Sequence, residues 1–90
     1  MPTDVPLALT VYSRNCCHLC EEMITALRPL QGRLHFLLQV VDVDGNAALE
    51  RLYGAKVPVL AHGDRELCHY RLEPATVTAY LADFRQNTRL

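Results

Sequence analysis

Apolar and polar positions break the chain into short segments of distinct period. Leu7-Ala8-Leu9-Thr10-Val11-Tyr12 is an apolar run rich in strand formers, closed by polar Ser13-Arg14-Asn15. A helical period follows, with Leu19, Met23, Ala26, Leu27 and Leu30 on one stripe. Glu21, Glu22, Thr25 and Arg28 take the opposite side, and early acidic residues suit the helix dipole. Pro29 is expected to end or kink this helix, with Gly32 as its stop. Phe36 to Val43 is apolar on both alternating faces apart from Gln39 and Asp42, the pattern of a strand covered on both sides. Asp44-Gly45 turns the chain, and Asn46 caps a short helix carrying Leu49, Leu52 and Tyr53 that stops at Gly54.

The second half changes character. Val57-Pro58-Val59-Leu60-Ala61 and Glu66-Leu67-Cys68-His69-Tyr70 flank the turn His62-Gly63-Asp64-Arg65, which predicts a hairpin. A last helix is predicted from Pro74, with Val77, Tyr80, Leu81 and Phe84 on one face. The order is therefore β-α-β-α-β-β-α, and its first strand-helix-strand unit implies a right-handed crossover between parallel strands. Residues 1–90 are expected to form one domain, with 1–6 and 87–90 as flexible ends. No repeat, linker or low-complexity segment interrupts it.

Composition narrows the function classes. Half the residues are hydrophobic, 21% are charged, and nine Lys and Arg leave a formal net charge of −1. The basic residues are scattered, so no footprint for nucleic acid is present. Met1-Pro2-Thr3-Asp4-Val5-Pro6 shows neither a positive leader nor a long apolar stretch, so neither secretion nor a membrane anchor is expected. A cytoplasmic protein is the expectation. Four cysteines in a reducing compartment point to catalysis or metal rather than a disulfide framework.

The chemistry concentrates in Cys17-His18-Leu19-Cys20, at the predicted strand-to-helix junction. Two cysteines on a first helical turn can close a small disulfide. The first thiol lies near the positive end of the dipole, which favours thiolate. Thiols so placed fall from about 8.5 to anywhere between about 3.5 and 7.5. Cys17 is thus the expected nucleophile and Cys20, one turn on, the resolving thiol. Arg14 stands ready to add positive potential, and His18, when protonated, to stabilise the thiolate. The same spacing also suits a metal. Cys16, Cys17, Cys20 and His18 invite zinc or an iron–sulfur cluster, although no second C-x-x-C completes a tetrahedral set within one chain.

In this element order, with a strand-initial Val57-Pro58 forty residues after Cys17, the chain resembles the glutaredoxin-like branch of the thioredoxin-fold superfamily. The carriers are Val11 through Cys20, Val41-Asp42-Val43-Asp44, and Tyr53-Gly54 followed by Val57-Pro58-Val59. The resemblance spans roughly residues 7–86. It implies a four-stranded mixed sheet flanked by helices, and thiol–disulfide exchange as the activity. It implies a cis Pro58 that faces the sulfurs, with Val57 offering backbone hydrogen bonds to a bound peptide or thiol. Arg14 stands where similar glutaredoxins carry a lysine.

Two departures matter. Cys68-His69-Tyr70-Arg71-Leu72-Glu73-Pro74 lacks the Gly-Gly pair that holds glutathione's γ-glutamyl end, and Glu73 is not equivalent to the family's Asp. The Trp-Cys-Gly-Pro-Cys signature of thioredoxins proper is also missing. The expected partners are a disulfide-bearing protein or small thiol and a cellular reductant of glutathione or thioredoxin-reductase type. No bound cofactor or metal, nucleic acid or membrane is expected, and the chain is expected to be a monomer. A thioredoxin-fold binding module without turnover is the other alternative. Cys16 reads as a bystander and Cys68 as a small buried hydrophobe. His35, His62 and His69 read as turn or surface residues, and Asp42 and Asp44 as a solvated turn.

Overall fold

The computed structural model describes residues 7–87. Met1 to Pro6 and residues 88–90, on which the leader and flexible-end expectations fall, lie outside the described residues. The elements are β1 (Ala8–Ser13), α1 (His18–Leu34), β2 (Leu37–Asp42), α2 (Ala47–Tyr53), β3 (Val59–His62), β4 (Arg65–His69) and α3 (Pro74–Asn87). The sheet order is β2-β1-β3-β4, with β1 and β2 parallel and the other two pairings antiparallel. This is the thioredoxin fold, a mixed four-stranded sheet flanked by helices.

Alternation along β1 separates the two faces. Leu9 and Val11 are fully buried and join Met23, Leu27 and Leu30 of α1 with Val77 and Leu81 of α3 in the core. The intervening Tyr12 points the other way and stacks on Tyr53 of α2, ring centroids 4.2 Å apart. That half-buried setting, with Tyr53 beside it, raises the Tyr12 phenol above its usual range. Helix α2 itself buries no residue. Asn46 caps it by accepting the Leu49 N–H at 3.1 Å, and Asn46 accordingly adopts an extended conformation.

The first helix departs from its sequence reading. Pro29 lies inside α1 and neither it nor Gly32 ends the helix. The helix runs on because Leu30 is buried and Leu34 packs on the core beyond the proline. Its end is made by His35, in the left-handed region at φ 57°, whose N–H donates to Gln31 O at 2.9 Å. Arg85 of α3 donates to the terminal carbonyls of Leu34 and His35, satisfying acceptors a helix leaves open. The buried stripe is also rotated from the expected one. Cys20, Met23, Leu27 and Leu30 face inward, while Leu19 and Ala26 are exposed.

Strand β2 is a second correction. It lies at the sheet edge rather than covered on both sides, and Leu37 and Val40 remain 54% and 50% exposed. Leu37 shares the α2 face with Val41, while Val40 lies on the opposite face beside Val11, so both helix layers leave part of this edge strand uncovered. Only Leu38 and Val41 of its apolar residues are partly buried.

Candidate functional site

Strand register gathers the candidate residues at one end of the sheet. Tyr12, near the end of β1, pairs with Val59, the first residue of β3. Pro58 therefore lies next to the point where β1 leads into the Cys17 segment. On the other flank Val59 pairs with His69, the last residue of β4, which brings Tyr70 alongside Pro58. The end of β2 arrives at the same edge, since Ser13 pairs with Asp42 and Val43 N–H donates to Ser13 O at 2.8 Å.

Cys17 is the N-cap of α1. Its backbone is extended, and its Sγ accepts the Cys20 N–H at 3.2 Å. That is one of the donors a helix start leaves unpaired, so the sulfur occupies an anion-binding position. Cys17 and Cys20 form a disulfide with their Cα atoms 5.2 Å apart, inside the range that bridging requires. The two sulfurs are unequal in access. Cys17 is half-buried, whereas Cys20 is 2% exposed at the base of the helix. His18 and Leu19 between them are exposed, and His18 with Glu21, Glu22, Thr25 and Ala26 lines an open depression of about 380 Å³.

Arg14 is tied into a separate cluster. Its guanidinium donates to Asp44 Oδ1 at 3.0 Å, to both Glu50 carboxylate oxygens at 3.2 and 3.1 Å, and to Gly54 O at 2.9 Å. The Glu50 hydrogen bond, with the Asp44 and Asp42 charges, raises the Arg14 pKa further. The cluster links the end of β1 to both ends of α2. Asp42, the partner of the Asp44 pattern, accepts the Asp44 N–H at 2.9 Å. Both aspartates are thereby accounted for within the turn.

Gly54 is the residue this cluster requires to be small. Its backbone is right-handed helical, at φ −54° and ψ −36°, so conformational freedom is not the reason for it. A Cβ there would approach Glu50 O to 2.6 Å and Glu50 Oε2 to 2.7 Å. Gly32, exposed within α1, has nothing within 4 Å of the same position. The two glycines should therefore respond with opposite sign. In urea denaturation Gly54→Ala should lose about 1–2 kcal/mol, by displacing Glu50 from Arg14. Gly32→Ala should gain about 0.5–1 kcal/mol from helix propensity. Equal effects from both would show that the close approach of Gly54 to Glu50 imposes no steric requirement.

The peptide bond between Val57 and Pro58 is cis. The preceding loop is held from β4: Tyr70 N–H donates to Pro58 O at 2.9 Å and Tyr70 Oη donates to Ala55 O at 3.0 Å. Lys56 Nζ meets Glu66 Oε1 at 2.7 Å, while His69 Nδ1 meets Glu66 Oε2 at 2.6 Å. The Lys56 hydrogen bond, then that of His69, holds the Glu66 carboxyl below the usual carboxylate range. A lowered folded-state pKa means this contribution is present above the usual carboxylate pKa and lost as pH falls through the lowered value. Val57 is half-buried, and among the described residues no hydrogen-bond partner is found for its N–H or C=O.

The other cysteines differ from the pair. Cys16 is free and exposed, at φ 57°. Cys68 is free and buried, and burial pushes its thiol up. Among the described residues no three His, Cys, Asp or Glu side chains converge as a metal set. No helix among them is long and apolar enough to cross a membrane.

A disulfide at a helix N-cap, beside a cis-proline loop on the neighbouring strand, is the geometry on which comparison with known proteins turns. Residues 8–82 match the model of the glutaredoxin-like domain (DUF836). The chain belongs to this glutaredoxin-like family. A protein of Nitrosomonas europaea, solved in solution by NMR, is 51% identical to this glutaredoxin-like chain. The match covers 89% of this chain and 98% of that one, with a TM-score of 0.77. An X. campestris protein solved by X-ray diffraction is 37% identical over 83% of this chain and 96% of its own, with a TM-score of 0.66. Thioredoxin 1 of Thermosipho africanus shares the fold at 15% identity, TM-score 0.60, over 88% and 99% of the two chains. No match was found among curated proteins. Family, fold and the Cys17–Cys20 pair together support a redox type of function.

Tyr70, Glu66 and Lys56 are the neighbours of the site that sequence reasoning passed over. Nothing local marks Tyr70 for a left-handed conformation, which glycine or asparagine usually signals. Only the pairing of Val59 with His69 places it beside Pro58.

Proposed function

We propose that this glutaredoxin-like protein is a thiol–disulfide oxidoreductase acting through Cys17 and Cys20. The observation that carries the reading is the half-buried Cys17 sulfur at the N-cap of α1, bonded to a buried Cys20. In the reduced protein the Cys17 thiolate attacks a substrate disulfide, forming a mixed disulfide and expelling one substrate thiolate. The Cys20 thiolate then attacks the Cys17 sulfur and expels the second, leaving the Cys17–Cys20 disulfide. Two electrons pass to the substrate, and a dithiol or two monothiols return them to the pair. The backbone N–H groups at the start of α1 stabilise the attacking sulfur as an anion.

The substrate is a disulfide-bearing protein, seated along Val57, whose N–H and C=O are free to pair with an extended strand, or a small-thiol disulfide that meets Cys17 without reaching Val57. Pro58 shapes that edge and His18 borders the opposite side. Arg14 contributes by holding the end of β1 and α2 together, since its charge is met by Asp44 and Glu50. Glutathione is one candidate reductant. The stretch from Cys68 to Pro74 lacks its usual glycine pair, so the reading does not depend on it.

Trapping tests this directly. Cys20→Ser protein, exposed to a cell extract under mild oxidation, should hold substrates as mixed disulfides on Cys17, released by dithiothreitol and identified by mass spectrometry. Adducts on Cys16 instead, or none above those of a Cys17→Ser/Cys20→Ser control, would remove Cys17 as the attacking group.

A further inference from the structure

We propose that Tyr70 is a positioning residue for substrate, fixing the loop that presents Val57; the proposal rests on the oxidoreductase reading above. Tyr70 follows β4 at φ 64°, a left-handed conformation that a bulky side chain adopts rarely and at a cost. The ring does not repay that cost by burial, because it is 47% exposed. Glycine would hold the same backbone with less strain. What the tyrosine adds is a set of contacts directed at one loop.

The conformation closes a three-residue turn, in which Arg71 N–H donates to His69 O at 2.7 Å. The turn aims the Tyr70 N–H at Pro58 O and its hydroxyl at Ala55 O, at 2.9 and 3.0 Å. Ala55 and Pro58, which bracket Lys56 and Val57, are thus both held by Tyr70, one through its hydroxyl and the other through its amide. His69 packs edge-on against the Tyr70 ring, centroids 4.7 Å apart, and binds Glu66, which in turn binds Lys56. Lys56 N–H also donates to Tyr53 O at 2.8 Å. Every residue from Ala55 to Pro58 is anchored through a polar group except Val57, the one that faces substrate in the reading above.

A loop fixed in this way presents the Val57 peptide groups without having to order them on binding, and pre-organisation of that kind improves affinity. The sulfur chemistry at Cys17 lies on a different segment and is untouched. Tyr70 therefore acts on the binding of extended substrates and not on the exchange step. A substrate too small to reach Val57 is indifferent to it.

The test compares wild type with Tyr70→Phe, which deletes the hydroxyl and keeps the ring. Insulin and hydroxyethyl disulfide serve as the long and short substrates, and thermal midpoints are measured alongside. For insulin, Tyr70→Phe should raise KM about three- to tenfold, the factor carried by one hydrogen bond, and leave kcat within about twofold. Hydroxyethyl disulfide reduction and alkylation of Cys17 by iodoacetamide should not change. Amide exchange at Val57 should quicken in the variant, a readout that needs no turnover. An unchanged insulin KM overturns the proposal, as does an equal loss on both substrates with a lowered midpoint, which is the signature of a merely structural role. Wild type that reduces neither substrate overturns the oxidoreductase reading first and Tyr70's part in it as a consequence. Tyr70→Gly, which relieves the backbone and removes the ring, should reproduce the KM effect even if Tyr70→Phe is poorly folded.

Discussion

Cys17→Ser should lower insulin-reducing turnover by at least about a thousandfold, to the background set by the thiol reductant alone. The expectation follows from access. Of the four sulfurs, Cys20 is 2% and Cys68 5% exposed, so neither meets a protein disulfide without opening the fold. Cys68 is further disfavoured because burial keeps it a neutral thiol. Cys17 combines partial exposure with a backbone donor on its sulfur. Cys16 is the one exposed alternative, and Cys16→Ser should accordingly retain wild-type turnover. Progress curves for the two variants at equal concentration decide the matter. Cys17→Ser activity within about an order of magnitude of wild type would reassign the attack to Cys16.

Leu27→Ala should destabilise the protein by about 2–5 kcal/mol. Leu27 is fully buried in α1, in the core it shares with Leu9, Val11, Leu60 and Leu81, so truncation leaves a cavity that its neighbours cannot fill. Against the total of about 5–15 kcal/mol usual for a small domain, such a loss is severe. At about 4–8 °C per kcal/mol the thermal midpoint should fall by at least about 8 °C. Leu52→Ala is the control: Leu52 lies on α2 and is 62% exposed, so its change should stay within about 0.5 kcal/mol. Thermal and urea unfolding followed by circular dichroism measure both. Equal midpoints for the two variants would show that the core is not where these helices place it.

Both effects rest on features that differ in how plainly the sequence shows them. Element order was readable because each segment carries its own period, and turn residues such as Asn46 and Gly63 punctuate it. Gly63 indeed takes φ 61° in the tight turn between β3 and β4. The errors came where tertiary contacts override local preference. Pro29 removes one backbone donor from α1, but burial of Leu30 and the Arg85 cap outweigh that loss. Phe36 to Val43 looked like an interior strand because apolar residues fill both faces, yet β2 sits at the sheet edge, a place that strand pairing and not local pattern decides. For the site, the Cys17–Cys20 spacing and Val57-Pro58 were legible as motifs. The contacts of Arg14 with Asp44, Glu50 and Gly54 were not, since they span thirty to forty residues of sequence. Tyr70 was hidden for a related reason: a tyrosine at positive φ has no sequence signal, and its role depends on which strand β4 adjoins.

The register between β1 and β3 has a consequence for how the molecule opens. The Cys17 segment leaves from β1, and the Val57-Pro58 loop leads into β3, which is its direct neighbour in the centre of the sheet. Separating the two halves of the site means unzipping the Val11–Leu60 pairing, whose residues are both fully buried. Such pairings open only in the global unfolding event, whereas thinly attached elements such as α2 open locally at lower cost. The disulfide segment and the Val57-Pro58 loop therefore share the lifetime of the whole fold. Fraying at the periphery leaves their relative position intact.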